Sequence, residues 1–352
     1  MNRVVFLLLA VILVSSCGIW QPLPDYGKQR NCYAIEVAAG PEDFVLDQWH
    51  TKPRLLISSH ERRGPERYGG IYSYDIATGY SENMPRKGEP ESLQTFQPHG
   101  MDIRHADGKT FLYVILHDLY NHSVRDENGI AVYLVSGDTL LFQELMIDPV
   151  HLWSPNDLSV LENGEIYASN DFRSMFDVYF RKKTSEVVHY SIQEKKWSVV
   201  ASDLSFANGV LALPDRVYVA ATRSDKLLAY PRKSDGTLGT GEEIVEIKGL
   251  DNIMPCGKRL LIAAHFDDLA FFRHHKDPGI PAPSVVFLID PVNPSLDQAE
   301  TVVYADDGRQ ISAASTAFAY QNKLYISQVF GTRILVCDAE DLAGFDEPGK
   351  GP

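Results

Sequence analysis

Beyond about residue 40 the chain alternates short runs rich in Val, Ile, Leu, Tyr and Phe with turn pairs such as Asp107-Gly108, Asn163-Gly164, Asp235-Gly236 and Asp307-Gly308. Phe111 to Ile115, Val217 to Ala221 and Lys323 to Ser327 read as strands, and Leu260 to Ala264 as a strand buried on both faces. Long helical periodicity is absent. The pattern predicts an all-β protein.

The strands recur as a unit: a polar residue or pair, an apolar strand, a turn, a second strand, then two more. Six units begin near Asp43, His99-Gly100, Asn156-Asp157, Asn208-Gly209, Asp251-Asn252 and Ser315-Thr316, spaced by 43 to 64 residues. Four-stranded units arranged radially leave few free sheet edges, so a six-bladed β-propeller with a central channel is predicted. A pair of β-sandwiches would also be all-β but gives no reason for polar residues to return at one point of each unit.

If each unit opens with its innermost strand, Glu42, Asp43, His99, Asn156, Asp157, Asn208, Asp251 and Asn252 converge on the axis. Singly, each is an ordinary turn residue. Together, four carboxylates and three amides in one channel repel or stay unsatisfied unless a hard cation binds there. Calcium suits such oxygens; zinc and copper are poorly served by a cluster without thiolates.

Charge and cysteine content narrow the class. With 33 basic and 47 acidic residues the formal charge is −14, and basic residues fall in short groups such as Arg181-Lys182-Lys183, which argues against a nucleic-acid partner. No CxxC pair, G-x-S-x-G elbow or H-E-x-x-H helix occurs. The histidines His274-His275, beside Lys276-Asp277-Pro278-Gly279, read as loop residues.

The first residues read as an address. Arg3, the apolar run Val4 to Val14 and Val14-Ser15-Ser16-Cys17 predict an export signal over 1–16, too short to span a bilayer as a helix. The Val-Ser-Ser-Cys step resembles a bacterial lipobox, with Cys17 as the lipid-bearing first residue of a linker over 17–30. An ordinary signal or an uncleaved anchor helix are the alternatives. Three cysteines then remain in an oxidising compartment. Cys32 and Cys337, near the two ends of the folded region over 31–340, are the expected pair, with Cys256 buried and inert. A flexible tail is expected over 341–352.

At Cys32 through Glu42-Asp43, Pro98-His99-Gly100-Met101, Val114 to His117, Pro155-Asn156-Asp157-Leu158, Ser169-Asn170-Asp171, Phe206-Ala207-Asn208-Gly209, Asp251-Asn252-Ile253 and Leu324 to Cys337, the chain resembles the calcium-dependent paraoxonase and arylesterase/lactonase family of six-bladed propellers. The resemblance implies two calcium ions. Glu42, Asn156, Asn208, Asp251 and Asn252 would hold the catalytic ion, and Asp43, Asp157 and the Met101 carbonyl the structural one. It also implies a bridge between Cys32 and Cys337. His99 is expected to act as general base on water, with His117 orienting it or relaying its proton, and Asp171 orienting a histidine or sharing the base role. Phe206, His265, Val329 and Phe330 match pocket positions. Two departures stand out: His60-Glu61-Arg62-Arg63 replaces an apolar, aromatic loop, and Phe172 replaces a histidine.

The expected activity is calcium-dependent hydrolysis of small hydrophobic lactones and aryl esters by an exported, lipid-anchored protein. A sugar-lactone hydrolase of the gluconolactonase type, or a surface propeller that binds a partner without turnover, are the rival readings.

Overall fold

The computed structural model describes residues 23, 30–64, 69–93, 95–120, 127–292 and 300–343. Six sheets form, each with four antiparallel strands from an inner to an outer one, and in five of them the four strands are consecutive in the chain. This is the expected six-bladed propeller. The inner strands are Pro41–Asp47, Pro98–Ala106, Pro155–Val160, Ala207–Ala212, Leu250–Cys256 and Ala314–Tyr320, for blades I to VI. Each packs against the inner strand of the next blade, and the last against the first, so the ring closes.

Blade VI is built from both ends of the chain. Its outer strand, Cys32–Glu36, pairs antiparallel with Arg333–Asp338, and Cys32 lies opposite Cys337 in that register. The two form the disulfide, 305 residues apart in sequence. Cys256 is buried and stands outside this disulfide. Blade II carries a fifth strand, Arg86–Lys87, parallel to Thr139–Met146.

The core lies between the blades, in six apolar layers. Phe44, Ile57, Tyr325 and Val336 join blades I and VI, Leu56, Val114 and Tyr133 join I and II, and Leu261, Val286, Ile326 and Leu335 join V and VI. The other three pairs of neighbours are joined in the same way. A middle strand therefore buries both faces, which explains the continuous apolar run of Leu260 to Ala264.

Two short helices interrupt the strands. Helix α1 (Met175–Tyr179) follows Phe172, and α2 (Asp268–Lys276) follows His265. The side chain of Asp267 caps α2 by accepting from the Ala270 N–H at 2.9 Å. His274 and His275, expected in a loop, lie in this helix; a capping aspartate and nine residues form a helix too short for its period to show. Tyr179 and Phe272 meet at 5.5 Å and join the helices. Among the described residues no helix is long and apolar enough to cross a membrane. Residues 1–22, with Cys17 and the signal, lie outside the described set, as do most of the linker and the tail from 344.

Candidate active site at the propeller axis

In all six blades the ladder between the first and second strands breaks register at the same place. The breaks fall between Pro41 and Asp43, Pro98 and Met101, Pro155 and Leu158, Ala207 and Val210, Leu250 and Ile253, and Ala314 and Ala317. A regular strand sends consecutive side chains to opposite faces, and a bulge releases that rule. Consecutive polar residues such as Glu42-Asp43, Asn156-Asp157 and Asp251-Asn252 are thus all buried near the axis.

Glycines let neighbouring bulges approach. A Cβ on Gly100 would stand 2.6 Å from the Asn156 carbonyl oxygen, and one on Gly209 2.5 Å from that of Asp251. The strands touch where His99-Gly100 and Asn208-Gly209 were singled out.

Five buried oxygens in this ring have no hydrogen-bond partner: Glu42 Oε2, Asn156 Oδ1, Asn208 Oδ1, Asp251 Oδ2 and Asn252 Oδ1. They belong to the five residues expected to hold a catalytic ion. Their other atoms are tied back: Glu42 Oε1 accepts from Ser315 Oγ at 2.8 Å, Asn252 Nδ2 donates to Thr316 Oγ1 at 2.9 Å, and Asn156 Nδ2 donates to Asp171 Oδ2 at 3.2 Å. Unsatisfied buried acceptors are costly, and a hard cation with oxygen ligands satisfies them together. Among the described residues no three His, Cys, Asp or Glu side chains gather closely enough to hold a metal alone, so any ion here draws on amide oxygens.

Asp43 and Asp157 differ. Asp43 accepts from the N–H groups of Phe44 and Met101 at 2.8 and 2.7 Å and from Thr316 Oγ1 at 3.0 Å. Asp157 accepts from Leu158 N and Val210 N at 2.7 and 2.8 Å. Each carboxylate therefore staples its own blade to the next through a backbone N–H. Burial raises both carboxyls well above the usual range; repulsion from Glu42 adds to this at Asp43, and repulsion from Asp43 at Asp157. Their lone pairs are satisfied while their charge is not.

His99 sits over this cluster, with Nε2 3.5 Å from Glu42 Oε1 and Nδ1 2.7 Å from His117 Nε2. The network assigns the tautomers. Asn128 donates through Nδ2 to the Trp153 carbonyl and accepts at Oδ1 from Asp118 N, so its oxygen faces His117 Nδ1 at 3.2 Å. His117 must then carry its proton on Nδ1, His99 donates from Nδ1 to His117 Nε2, and the lone pair of His99 lies on Nε2, toward Glu42. Burial, then repulsion from His99, lowers His117 to about 3, consistent with a neutral ring. Burial would raise Glu42, but when His99 is an imidazolium its charge, with Arg62 and the Ser315 hydrogen bond, outweighs burial and holds the carboxyl at about 2.

Asp171 has no hydrogen bond to either histidine; its oxygens take Ser154 Oγ and Phe172 N, both at 2.6 Å, and Asn156 Nδ2. It orients the Asn156 amide. His265 Nε2 lies 2.6 Å from Asp251 Oδ2, outside hydrogen-bond direction. Phe206, held at φ 58°, stacks on Phe172 at 5.3 Å, while Phe271 contacts His265 and Phe330. Val329 packs beside Phe330. Where the resemblance expects a histidine, Phe172 stacks on Phe206.

Sequence reading missed the sixth blade's share. Ser315 and Thr316 stood at the right point of their unit, which was the available signal, yet they hold Glu42 and Asn252. Ser327, on the second strand, donates to the Glu42 carbonyl at 2.5 Å and carried no signal. Arg62 places Nη1 at 3.1 Å from the Gly40 and His60 carbonyls and Nη2 at 3.7 Å from Glu42 Oε2.

The fold and this axial cluster define a six-bladed propeller with a ring of buried oxygens and a histidine pair at its axis. The Arylesterase family profile matches residues 62–339, and the chain belongs to that family, whose members are hydrolases acting on ester bonds. It is 26% identical over 332 residues to serum paraoxonase/arylesterase 2 of Bos taurus, covering 88% of each chain. It is 27% identical over 336 residues to human serum paraoxonase/lactonase 3, covering 88% of this chain and 89% of that one. Among solved structures, a luciferin-regenerating enzyme aligns with a TM-score of 0.58 at 11% identity over 88% of this chain and 96% of that one, a likeness of fold alone.

Proposed function

We propose that the protein is a calcium-dependent lactonase with arylesterase activity, in which His99 is the general base. The five orphaned oxygens at the bulges carry this reading, because they are the atoms a calcium ion would need. Glu42, Asn156, Asn208, Asp251 and Asn252 would hold the catalytic ion. Asp43, Asp157 and the Met101 carbonyl would hold a second, whose charge would relieve the repulsion between the two aspartates. When bound, the first ion supplies a Lewis acid for the substrate carbonyl.

The chain's own residues do the rest. The stacked rings of Phe172 and Phe206, with Phe330, would receive the apolar part of the substrate. His99 Nε2 takes a proton from water as the water oxygen attacks the carbonyl carbon, and His117 Nε2 holds the resulting imidazolium by accepting from Nδ1–H. The ester C–O bond breaks, and the proton passes from His99 to the leaving alkoxide. The products are an alcohol and a carboxylic acid, joined in one molecule when the substrate is a lactone, and the acid loses its proton to solvent as a carboxylate.

The test is acid release from a medium-chain aliphatic lactone. Activity is expected with calcium, loss of activity and a lower melting temperature after chelation, and a fall of about 10²- to 10⁴-fold in H99Q with calcium content unchanged. No turnover by calcium-loaded protein would instead favour a binding propeller.

We also read the chain as exported and lipid-anchored at Cys17. The Cys32–Cys337 disulfide supports an oxidising compartment. Mass analysis of membrane-bound protein should find an acylated Cys17 as the first residue; a soluble product with unmodified Cys17 would refute the anchor.

A further inference from the structure

A cleft of about 580 Å³ opens in the surface at blade VI. It lies where the first strand closes blade VI: Val37 N bonds to the Thr332 carbonyl at 2.8 Å and Gly40 N to that of Gly331 at 2.7 Å. Its walls include Arg63, Arg309, Arg333, His274 and Glu36, with the Ser312 and Gln328 side chains between them. None of these belongs to the axial cluster.

The charges around the cleft do not cancel. Glu36, the one carboxylate of the lining, accepts from Thr332 Oγ1 at 2.6 Å. Asp307 approaches Arg309 at Nε, 3.3 Å away, in an exposed pair of the kind that contributes little. Among the described residues no carboxylate pairs with Arg333. The neighbouring Asp306 is consumed by its own turn, accepting from Gly308 N and Gln310 N at 2.8 and 2.9 Å.

Arg63 is held in place. His274 Nδ1 faces the Ile280 carbonyl at 2.6 Å, so the proton sits there and Nε2 accepts from Arg63 Nη2 at 2.9 Å. The same nitrogen donates to the His274 carbonyl at 3.0 Å, Nε donates to that of His275, and the guanidinium lies 4.6 Å over the Phe330 ring. His274 is thereby neutral, and its ordinary basicity is lowered by burial and by Arg63. Three guanidinium groups against Glu36 in the lining and Asp307 paired with Arg309 leave one positive charge in a chain whose net charge is −14.

We propose that this cleft binds a small dianion, of the charge and size of a phosphate monoester, through Arg63, Arg309 and Arg333. Guanidinium groups bind such oxyanions in paired, charge-assisted hydrogen bonds, and the volume exceeds that of the bare ion, leaving room for a short organic substituent. The proposal is independent of the chemistry assigned to the axis.

Calorimetric titration of the calcium-loaded protein with glycerol 3-phosphate at low salt tests it. One saturable site is expected, displaced by sulfate, and weakened about tenfold or more in R309Q and in R333Q. R216Q, at the start of the second strand of blade IV and outside the cleft lining, should bind as the wild type does. Dimethyl phosphate, a singly charged diester like a lipid headgroup, should bind about tenfold more weakly than the monoester. Arg309 is mostly exposed, so R309Q keeps the test valid if R333Q unfolds. Absence of saturable binding, wild-type affinity in R309Q, or equal affinity for the diester would overturn the proposal.

Discussion

At the scale of single residues, the site is controlled by atoms that do not face the substrate. Asn128 decides which nitrogen of His99 carries a lone pair, through two rings and one amide. Asp171 turns Asn156 so that its oxygen faces the axis. The buried neutral His117 also makes stability depend on pH. Its folded pKa of about 3 lies below the ordinary histidine value of 6.5, so between them the unfolded chain binds a proton that the folded one does not. This contribution is complete above about pH 6.5 and is lost as pH falls toward 3, at up to about 1.4 kcal/mol per pH unit. Denaturant titrations from pH 7 to 4 should show H117N with a shallower slope than wild type, by about one proton. Equal slopes would mean that His117 is not held neutral.

At the scale of elements, the repeated bulge is the organising feature. Six inner strands each break register at their channel end, and each break turns polar groups toward the axis. The close approach of adjacent bulges requires glycine at position 209, where an added Cβ meets backbone rather than a yielding side chain. G209A should push the blade IV bulge from that of blade V and displace Asn208 from Asp251 and Asn252. Calcium affinity is expected to fall about tenfold or more, with circular dichroism unchanged. Unaltered calcium binding would show that the ring tolerates a wider gap. Helices α1 and α2 belong to this scale too, since Phe172 and Phe271 place aromatic rings at the mouth beside them.

At the scale of the whole molecule, closure is the physical problem. A ring of blades has a seam, and here the first strand completes the last blade, with Cys32 and Cys337 covalently joined across it. The double variant C32S/C337S is expected to lose about 2–5 kcal/mol in denaturant unfolding. A loss well under 1 kcal/mol would assign closure to strand pairing and the apolar layer between blades I and VI instead. The dianion cleft lies on this same seam, so its walls join only when the ring closes.

Much of this organisation was legible along the chain. The six returns of polar residues, the apolar strands and the paired cysteines are local or periodic features, and strand burial on two faces writes itself as continuous apolar runs. Chain order therefore determined the all-β class, the number of blades and the candidates for the axial cluster. It did not determine which oxygens are orphaned, that Asp171 serves Asn156, that Ser315, Thr316 and Ser327 hold Glu42 and Asn252, or that Arg63, Arg309 and Arg333 share one cleft. Those facts depend on bulge geometry and on contacts between blades far apart in sequence, where hydrogen-bond directions within a few tenths of an ångström decide which polar group is satisfied and which is left to bind.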